Sequence, residues 1–320
     1  MAARIVVTRR IPEPAIELLE GAGDVWVSPH DRPLATDELH AAVAGADGVV
    51  TLLHDRVDDA FLDAAGSRLR IVANAAVGYD NLDVRACSRR DVVVSNTPGV
   101  LTEATADIAF ALILMATRRL GEGERLIRAR TPWSWSMFFM LGSGIQGKTL
   151  GVVGLGKIGL ATARRARAFG MEIAYAGRRR APAEIETELA ARFLPLEELL
   201  AQADVVSLHC PLSAETHHLI DAEALGRMKP SAYLVNTTRG PVVDEAALAE
   251  ALRAGTIAGA GLDVFEREPE VHEALLGLES VVLIPHLGSA TVETRTAMGV
   301  LAARNVVAVL GGDAPVTPVG

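Results

Sequence analysis

Short β-branched apolar runs recur along the first third of the chain, each separated from the next by a segment of helical spacing: IVVT (5–8), VWV (25–27), GVVTLL (48–53), LRIVAN (69–74) and DVVVSN (91–96). Strand and helix in alternation predict right-handed crossovers and a parallel sheet covered by helices on both faces. A second series follows residue 148, in TLGVVGLG, MEIAYAG, ADVVSLHC, AYLVNTT, IAGAGLDV and SVVLIPH, and predicts a second sheet of six strands. Between the two series, TEATADIAFALILMATRRLGEGERLIRAR (102–130) carries the apolar residues of one long helix with Thr102 as its N-cap, expected to cross between domains. The segment TVETRTAMGVLAARNVVAVLGG (291–312) reads as one amphipathic helix ended by Gly311 and Gly312, returning to the first domain. The pattern predicts an α/β chain of two doubly wound parallel-sheet domains with a cleft between them, residues 1–99 with 289–320 forming one and 100–288 the other.

Composition narrows the partners. With 320 residues, 50% of them hydrophobic, the chain can bury two cores. A formal charge of -9, from 40 acidic against 31 basic residues, offers no general attraction for nucleic acid or an anionic membrane surface, so a small-molecule partner is expected. The two cysteines, Cys87 and Cys210, stand at neither metal-site nor disulfide-framework spacing, so no metal is expected and a reducing compartment fits. No signal peptide or membrane-length apolar run is present, and the expectation is a cytoplasmic, soluble protein.

The chemistry begins at GVVGLGKIG (151–159). Gly154, Gly156 and Gly159, with Leu155, Lys157 and Ile158 between them, form GxGxxG directly after a strand and directly before a helix. In that context the first glycine makes the tight turn, the second lets the backbone approach a pyrophosphate, and the third lets helix pack on strand. Unpaired N–H groups and the helix dipole then favour the anion. Residues 100–288 thus read as a Rossmann-like dinucleotide-binding domain, and the other as the substrate domain. The next strand, EIAYAG, lacks the terminal acid that accepts a hydrogen bond from an NAD ribose. It ends in Gly177 followed by Arg178, Arg179 and Arg180, a small residue and guanidinium groups suited to a 2′-phosphate, which favours NADP(H) over NAD(H).

Three residues at the ends of successive strands supply the rest of a hydride-transfer site: Arg239 in NTTRG, Glu268 in LDVFEREP and His286 in LIPHLGS. An imidazole that titrates near neutrality can give a proton to a carbonyl oxygen or take it back. A carboxylate hydrogen-bonded to it orients the ring. A guanidinium fork binds a substrate carboxylate and polarises the adjacent carbonyl.

Together with AVGYDNLDV (76–84), SNTPGVLTEATADIAFALILMATRR (95–119), HCPLSAETHHLI (209–220), NTTRGPVVDE (236–245) and PHLGSAT (285–291), these segments resemble the D-2-hydroxyacid dehydrogenases over nearly the whole chain, and most of all their glyoxylate/hydroxypyruvate reductases. The resemblance implies Arg239, Glu268 and His286 as the catalytic trio. Substrate would be bound by Arg239, His286 and the backbone near Val77 and Gly78, with Leu53 nearby. Thr105, Cys210, Pro211, Thr216, Thr238, Asp263 and Gly288 would touch the cofactor, Asp263 at the nicotinamide amide. It also implies a homodimer, with the helix near 102–120 and the following loop at the interface. In that loop, WSWSMFFMLGSG, Met137 stands where related reductases carry Pro, a departure that bears on substrate preference; Trp133, Trp135, Phe138 and Phe139 read equally as interface packing. Glu268 replaces the Gln of the family's formate dehydrogenases, which argues against that reaction. The expected activity is NAD(P)H-dependent reduction of a small 2-oxoacid. Alternatives are an NAD-dependent D-lactate or phosphoglycerate-type dehydrogenase, or a non-enzymatic dinucleotide-binding corepressor.

Overall fold

A computed structural model describes residues 2–319. Two compact units divide the chain, Met1–Leu101 with Ser289–Gly320 and Thr102–Gly288. In the first, β1 (Ala3–Val7), β2 (Gly23–Val27), β3 (Gly48–Thr51), β4 (Ile71–Asn74) and β5 (Val93–Ser95) form a sheet of order β2-β1-β3-β4-β5, parallel throughout. Helix Val292–Gly311 packs against this sheet and against helix Glu13–Glu20, and ends on Gly312 in the left-handed conformation at φ +94°.

The second unit contains β6 (Thr149–Val153), β7 (Glu172–Ala176), β8 (Arg192–Phe193), β9 (Val205–Leu208), β10 (Tyr233–Asn236), β11 (Gly259–Leu262) and β12 (Val281–Leu283), ordered β12-β11-β10-β9-β6-β7-β8 and again parallel. Strands β6, β9, β10 and β11 are buried at every residue, as expected of a parallel sheet covered on both faces. Chain order reverses on either side of β6, and the crevice beyond the carboxyl ends of β6 and β9 is where open α/β sheets bind ligands.

Three expectations are corrected. The sheet has a seventh strand, β8, whose two exposed residues pair at the edge and leave no apolar run to read. Residues 102–130 form two helices, Thr102–Thr117 and Leu120–Arg128, because Arg119 turns into the left-handed region at φ +53°. Helix Thr102–Thr117 lies within the second unit instead of crossing between units, packed on β10, β11 and β12. Its successor carries Gly121 and Gly123, poor helix formers, and buries no residue.

Candidate active site

The three glycines after β6 stand in three different settings. Gly154 has φ +95°, and a Cβ there would lie 2.9 Å from the Cys210 nitrogen. At Gly159 a Cβ would stand 2.3 Å from the Gly154 carbonyl oxygen, so helix Lys157–Ala168 can lie against the strand only without one. At Gly156, the helix N-cap, a Cβ would meet open space. Packing therefore leaves Gly156 unexplained. An anion seated on the first-turn N–H groups explains it, since no side chain caps this helix. The residues thus fit a dinucleotide pyrophosphate. Lys157 is exposed at the first turn, while Leu155 and Ile158 are half-buried.

Beyond β7, Gly177, Arg178 and Arg179 are exposed, and the two arginines make no side-chain hydrogen bond or ion pair among the described residues. Arg180 does not join them. It pairs with Glu186 through Nε and Nη2, both at 2.9 Å, while the Tyr175 hydroxyl donates to the same carboxylate at 2.5 Å and accepts from the Ala181 N–H at 2.8 Å. Across from this loop, the Ser213 hydroxyl and the nearby Arg178 hold the Glu215 carboxyl below its ordinary range. The Thr216 hydroxyl donates to the Pro211 carbonyl at 2.7 Å and accepts the Ser213 N–H at 2.7 Å, shaping the 211–216 loop. Burial pushes the Cys210 thiol up to about 11, and the His209 imidazole, 2.9 Å from the Ser207 hydroxyl, down to about 4.

At the ends of β10 and β11 the local sequence explains the positions of the trio. Buried Asn236 accepts the N–H and hydroxyl of Thr238 at 3.0 and 2.7 Å and donates to the Arg239 carbonyl at 2.9 Å, which closes the Thr237–Arg239 turn. The Arg239 guanidinium donates to the Thr238 carbonyl at 2.9 Å. A Cβ on Gly240 would fall 1.9 Å from the Phe265 carbonyl carbon, so glycine alone lets this turn touch the Glu268 loop. Glu268 accepts the Phe265 N–H on Oε1 at 3.0 Å and holds His286 Nδ1 with Oε2 at 2.8 Å. The hydrogen bond assigns the Nδ1 proton to the Glu268 side and leaves Nε2 for other chemistry.

His286 sits at φ +52°, a strained setting for a residue with a Cβ. Asp263 holds it there. The Asp263 carbonyl accepts the His286 N–H at 2.8 Å, and its carboxylate, 1% exposed, accepts the Leu287 and Gly288 N–H groups at 2.5 and 2.8 Å. Burial raises the Asp263 carboxyl above its ordinary range. The Thr105 hydroxyl donates to the Gly288 carbonyl at 3.1 Å, so the polar groups of Thr105 and Gly288, expected at the cofactor, are engaged with each other. Sequence reasoning missed Asn236, Gly240 and this structural part of Asp263. Buried Asn and Asp at the ends of apolar strands were the available signal.

In the first unit, the Val77 and Gly78 carbonyls accept from Asn96 at 2.8 Å and Asn74 at 3.0 Å. Their two N–H groups make no hydrogen bond among the described residues. Asn81 pins the segment carrying half-buried Leu53 by donating to the Leu52 and Asp55 carbonyls at 3.1 and 2.8 Å.

Comparison with known proteins agrees with this geometry. Residues 110–288 match the family model described as D-isomer specific 2-hydroxyacid dehydrogenase, NAD binding domain. The chain is 47% identical over 321 residues to a glyoxylate reductase of Thermococcus onnurineus, covering 99% of this chain and 96% of that one. A solved structure from Thermus thermophilus is similar at TM-score 0.93 with 44% identity, covering 99% and 100% of the two chains. An NADPH-dependent glyoxylate/hydroxypyruvate reductase from Sinorhizobium meliloti, solved with NADP and malonate, is similar at TM-score 0.86 with 37% identity, covering 100% and 97%. The chain belongs to the D-isomer specific 2-hydroxyacid dehydrogenase family, whose members are nicotinamide-dinucleotide-dependent oxidoreductases. Among the described residues, no helix is long and apolar enough to cross a membrane.

Proposed function

We propose that this chain reduces small 2-oxoacids, glyoxylate and hydroxypyruvate foremost, to the D-2-hydroxyacid, and prefers NADPH to NADH. The observation that carries the reading is the 2.8 Å contact between His286 Nδ1 and Glu268 Oε2, on strand ends that follow a glycine loop fitted to a pyrophosphate. The names of the relatives support the substrate class. When bound, the reduced dinucleotide supplies a hydride to the carbonyl carbon. Protonated His286 gives its Nε2 proton to the carbonyl oxygen, so the C=O π bond is replaced by one C–H and one O–H bond, and solvent reprotonates the ring. Glu268 orients the imidazole through its hydrogen bond to Nδ1. The Arg239 fork binds the substrate carboxylate and polarises the carbonyl beside it. Within the first unit, we assign the Val77 and Gly78 N–H groups, with Leu53, to substrate binding.

NADPH preference rests on Arg178 and Arg179, two guanidiniums with no hydrogen-bond or ion-pair partner among the described residues, beyond a strand that ends without an acid. Cofactor contacts by Cys210, Pro211, Thr216 and Thr238 belong to the same proposal. We assign exposed Trp133, Trp135, Met137 and Phe138 to contact with a second copy of the chain, making a homodimer. Free Cys87 and Cys210 suit the cytoplasm.

The test is a matrix of initial rates, NADPH and NADH against glyoxylate, hydroxypyruvate, pyruvate and phosphohydroxypyruvate. The highest kcat/KM is expected for NADPH with glyoxylate or hydroxypyruvate. Preference for NADH with pyruvate or the phosphorylated acid would overturn the assignment. Tight dinucleotide binding without turnover of any oxoacid would point to a non-enzymatic binding protein.

A further inference from the structure

Arg239 and Glu268 stand on different loops, and their alignment depends on what joins those loops at the base. The same loops carry a cluster in which the catalytic reading gives no residue a part. The Glu245 N–H donates to Glu266 Oε1 at 3.0 Å, and the Glu266 N–H donates back to Glu245 Oε1 at 2.6 Å. This reciprocal pair bridges the start of helix Glu245–Arg253, which follows Arg239, to the loop that carries Glu268. His218 adds the third loop. Its Nε2 lies 3.1 Å from Glu266 Oε1, its N–H donates to the Pro241 carbonyl at 2.8 Å, and its ring stacks on His217 with centroids 4.1 Å apart. The segments after β9, β10 and β11 are thus bound at one point.

The chemistry of the cluster is costly for a purely structural fastening. Two carboxylates lie side by side, Glu245 is only 5% exposed, and burial pushes its carboxyl above the ordinary range. His218 occupies the left-handed region at φ +50° to reach both partners. Well-packed apolar residues would join the loops more cheaply. Apolar contacts slide, whereas paired hydrogen bonds of fixed length hold a register.

We propose that Glu266, held by Glu245 and His218, is a positioning residue that sets the Glu268 loop against the Arg239 loop and ties both to the 209–218 segment. It rests on the reading of Arg239 and Glu268 given above. Glu266 touches no reacting atom, so its effect runs through alignment.

The experiment measures kcat and KM for glyoxylate, NADPH Kd by cofactor fluorescence, and Tm, in Glu266→Ala, Glu266→Gln and His218→Asn. Glu266→Ala is expected to lower kcat/KM roughly 10- to 100-fold with NADPH Kd within about threefold of the parent, the scale of loss that small misplacements produce. Glu266→Gln keeps an oxygen acceptor for the Glu245 N–H and the His218 ring, and is expected to recover most of that loss. His218→Asn, which tolerates the left-handed backbone, is expected to lose roughly 3- to 10-fold. A folded Glu266→Ala with kcat and KM within about twofold of the parent overturns the proposal, as does a lowered Tm with kcat/KM unchanged. If Glu266→Ala does not fold, His218→Asn decides by the same criterion. Unchanged turnover in Arg239→Met and Glu268→Gln would instead sink the underlying site reading, whatever the Glu266 variants do.

Discussion

Replacing Asp263 by Asn tests whether the His286 turn is held by this carboxylate or the carboxylate serves the cofactor. The substitution keeps shape and volume. Each carboxylate oxygen accepts one backbone N–H, from Leu287 and Gly288, at a site 1% exposed. Asn retains one acceptor and turns an NH2 group toward the other N–H, so one charge-assisted bond is lost outright and the second weakens. Hydrogen bonds to charged groups contribute about 1.5–3 kcal/mol, so roughly 2–4 kcal/mol of local restraint disappears. That exceeds the roughly 1–2 kcal/mol by which a left-handed backbone at His286 is disfavoured, so the turn should relax. At about 1.4 kcal/mol per decade, kcat should fall roughly 30- to 700-fold. Global stability should fall less, because burial already disfavours the Asp263 charge that the substitution removes. For a unit of this size a Tm drop of about 2–4 °C per kcal/mol is the relevant scale. The assay pairs kcat at saturating oxoacid with NADPH Kd and a melting curve. A kcat within about threefold of the parent would refute the reasoning, and an NADPH Kd that rises as far as kcat falls would make Asp263 a cofactor ligand instead.

Three further outcomes follow from the same geometry. His286→Ala should lower turnover by roughly 100- to 10,000-fold in single-turnover assays while NADPH Kd stays near the parent value, because the proposed role gives the ring the proton transfer and leaves the glycine loop untouched. Gly156→Val should melt like the parent yet lose dinucleotide affinity in a fluorescence titration, since its side chain enters open space; Gly159→Ala, with a Cβ 2.3 Å from the Gly154 oxygen, should melt several degrees lower. His209, held at about 4 by burial, binds its proton less readily folded than unfolded, so its contribution is present above the unfolded value near 6.5 and is lost as pH falls toward 4. Urea midpoints between those limits should fall less steeply in His209→Gln, and identical slopes would remove His209 from the acid sensitivity.

The sheets were legible because the strands that cross a buried layer are built on short apolar runs, as in LGVV before Gly154 or YLV before Asn236. The glycine loop was legible for a related reason, that turn, close approach and helix start are all local. Strand β8 was not, because two exposed residues carry no periodicity. Nor was the break at Arg119, since both sides of it score as helix and only the burial of one of them separates the two. Arg180 had the same side chain as its neighbours in the sequence, and Glu186 set it apart.

By itself the amino-acid order determined the two α/β units, the glycine loop and the residue types assembled at the strand ends. Those follow from hydrophobic burial and backbone sterics, which act between near neighbours in the chain. Tertiary structure alone decided which side chains hold which: Glu266 and Glu245, 21 residues apart, Asp263 and Gly288, 25 apart, and Gly240 against Phe265. Hydrogen bonds and steric contacts of that kind are set by distances of a few ångströms, which exist only once the sheet has brought its loops to one edge.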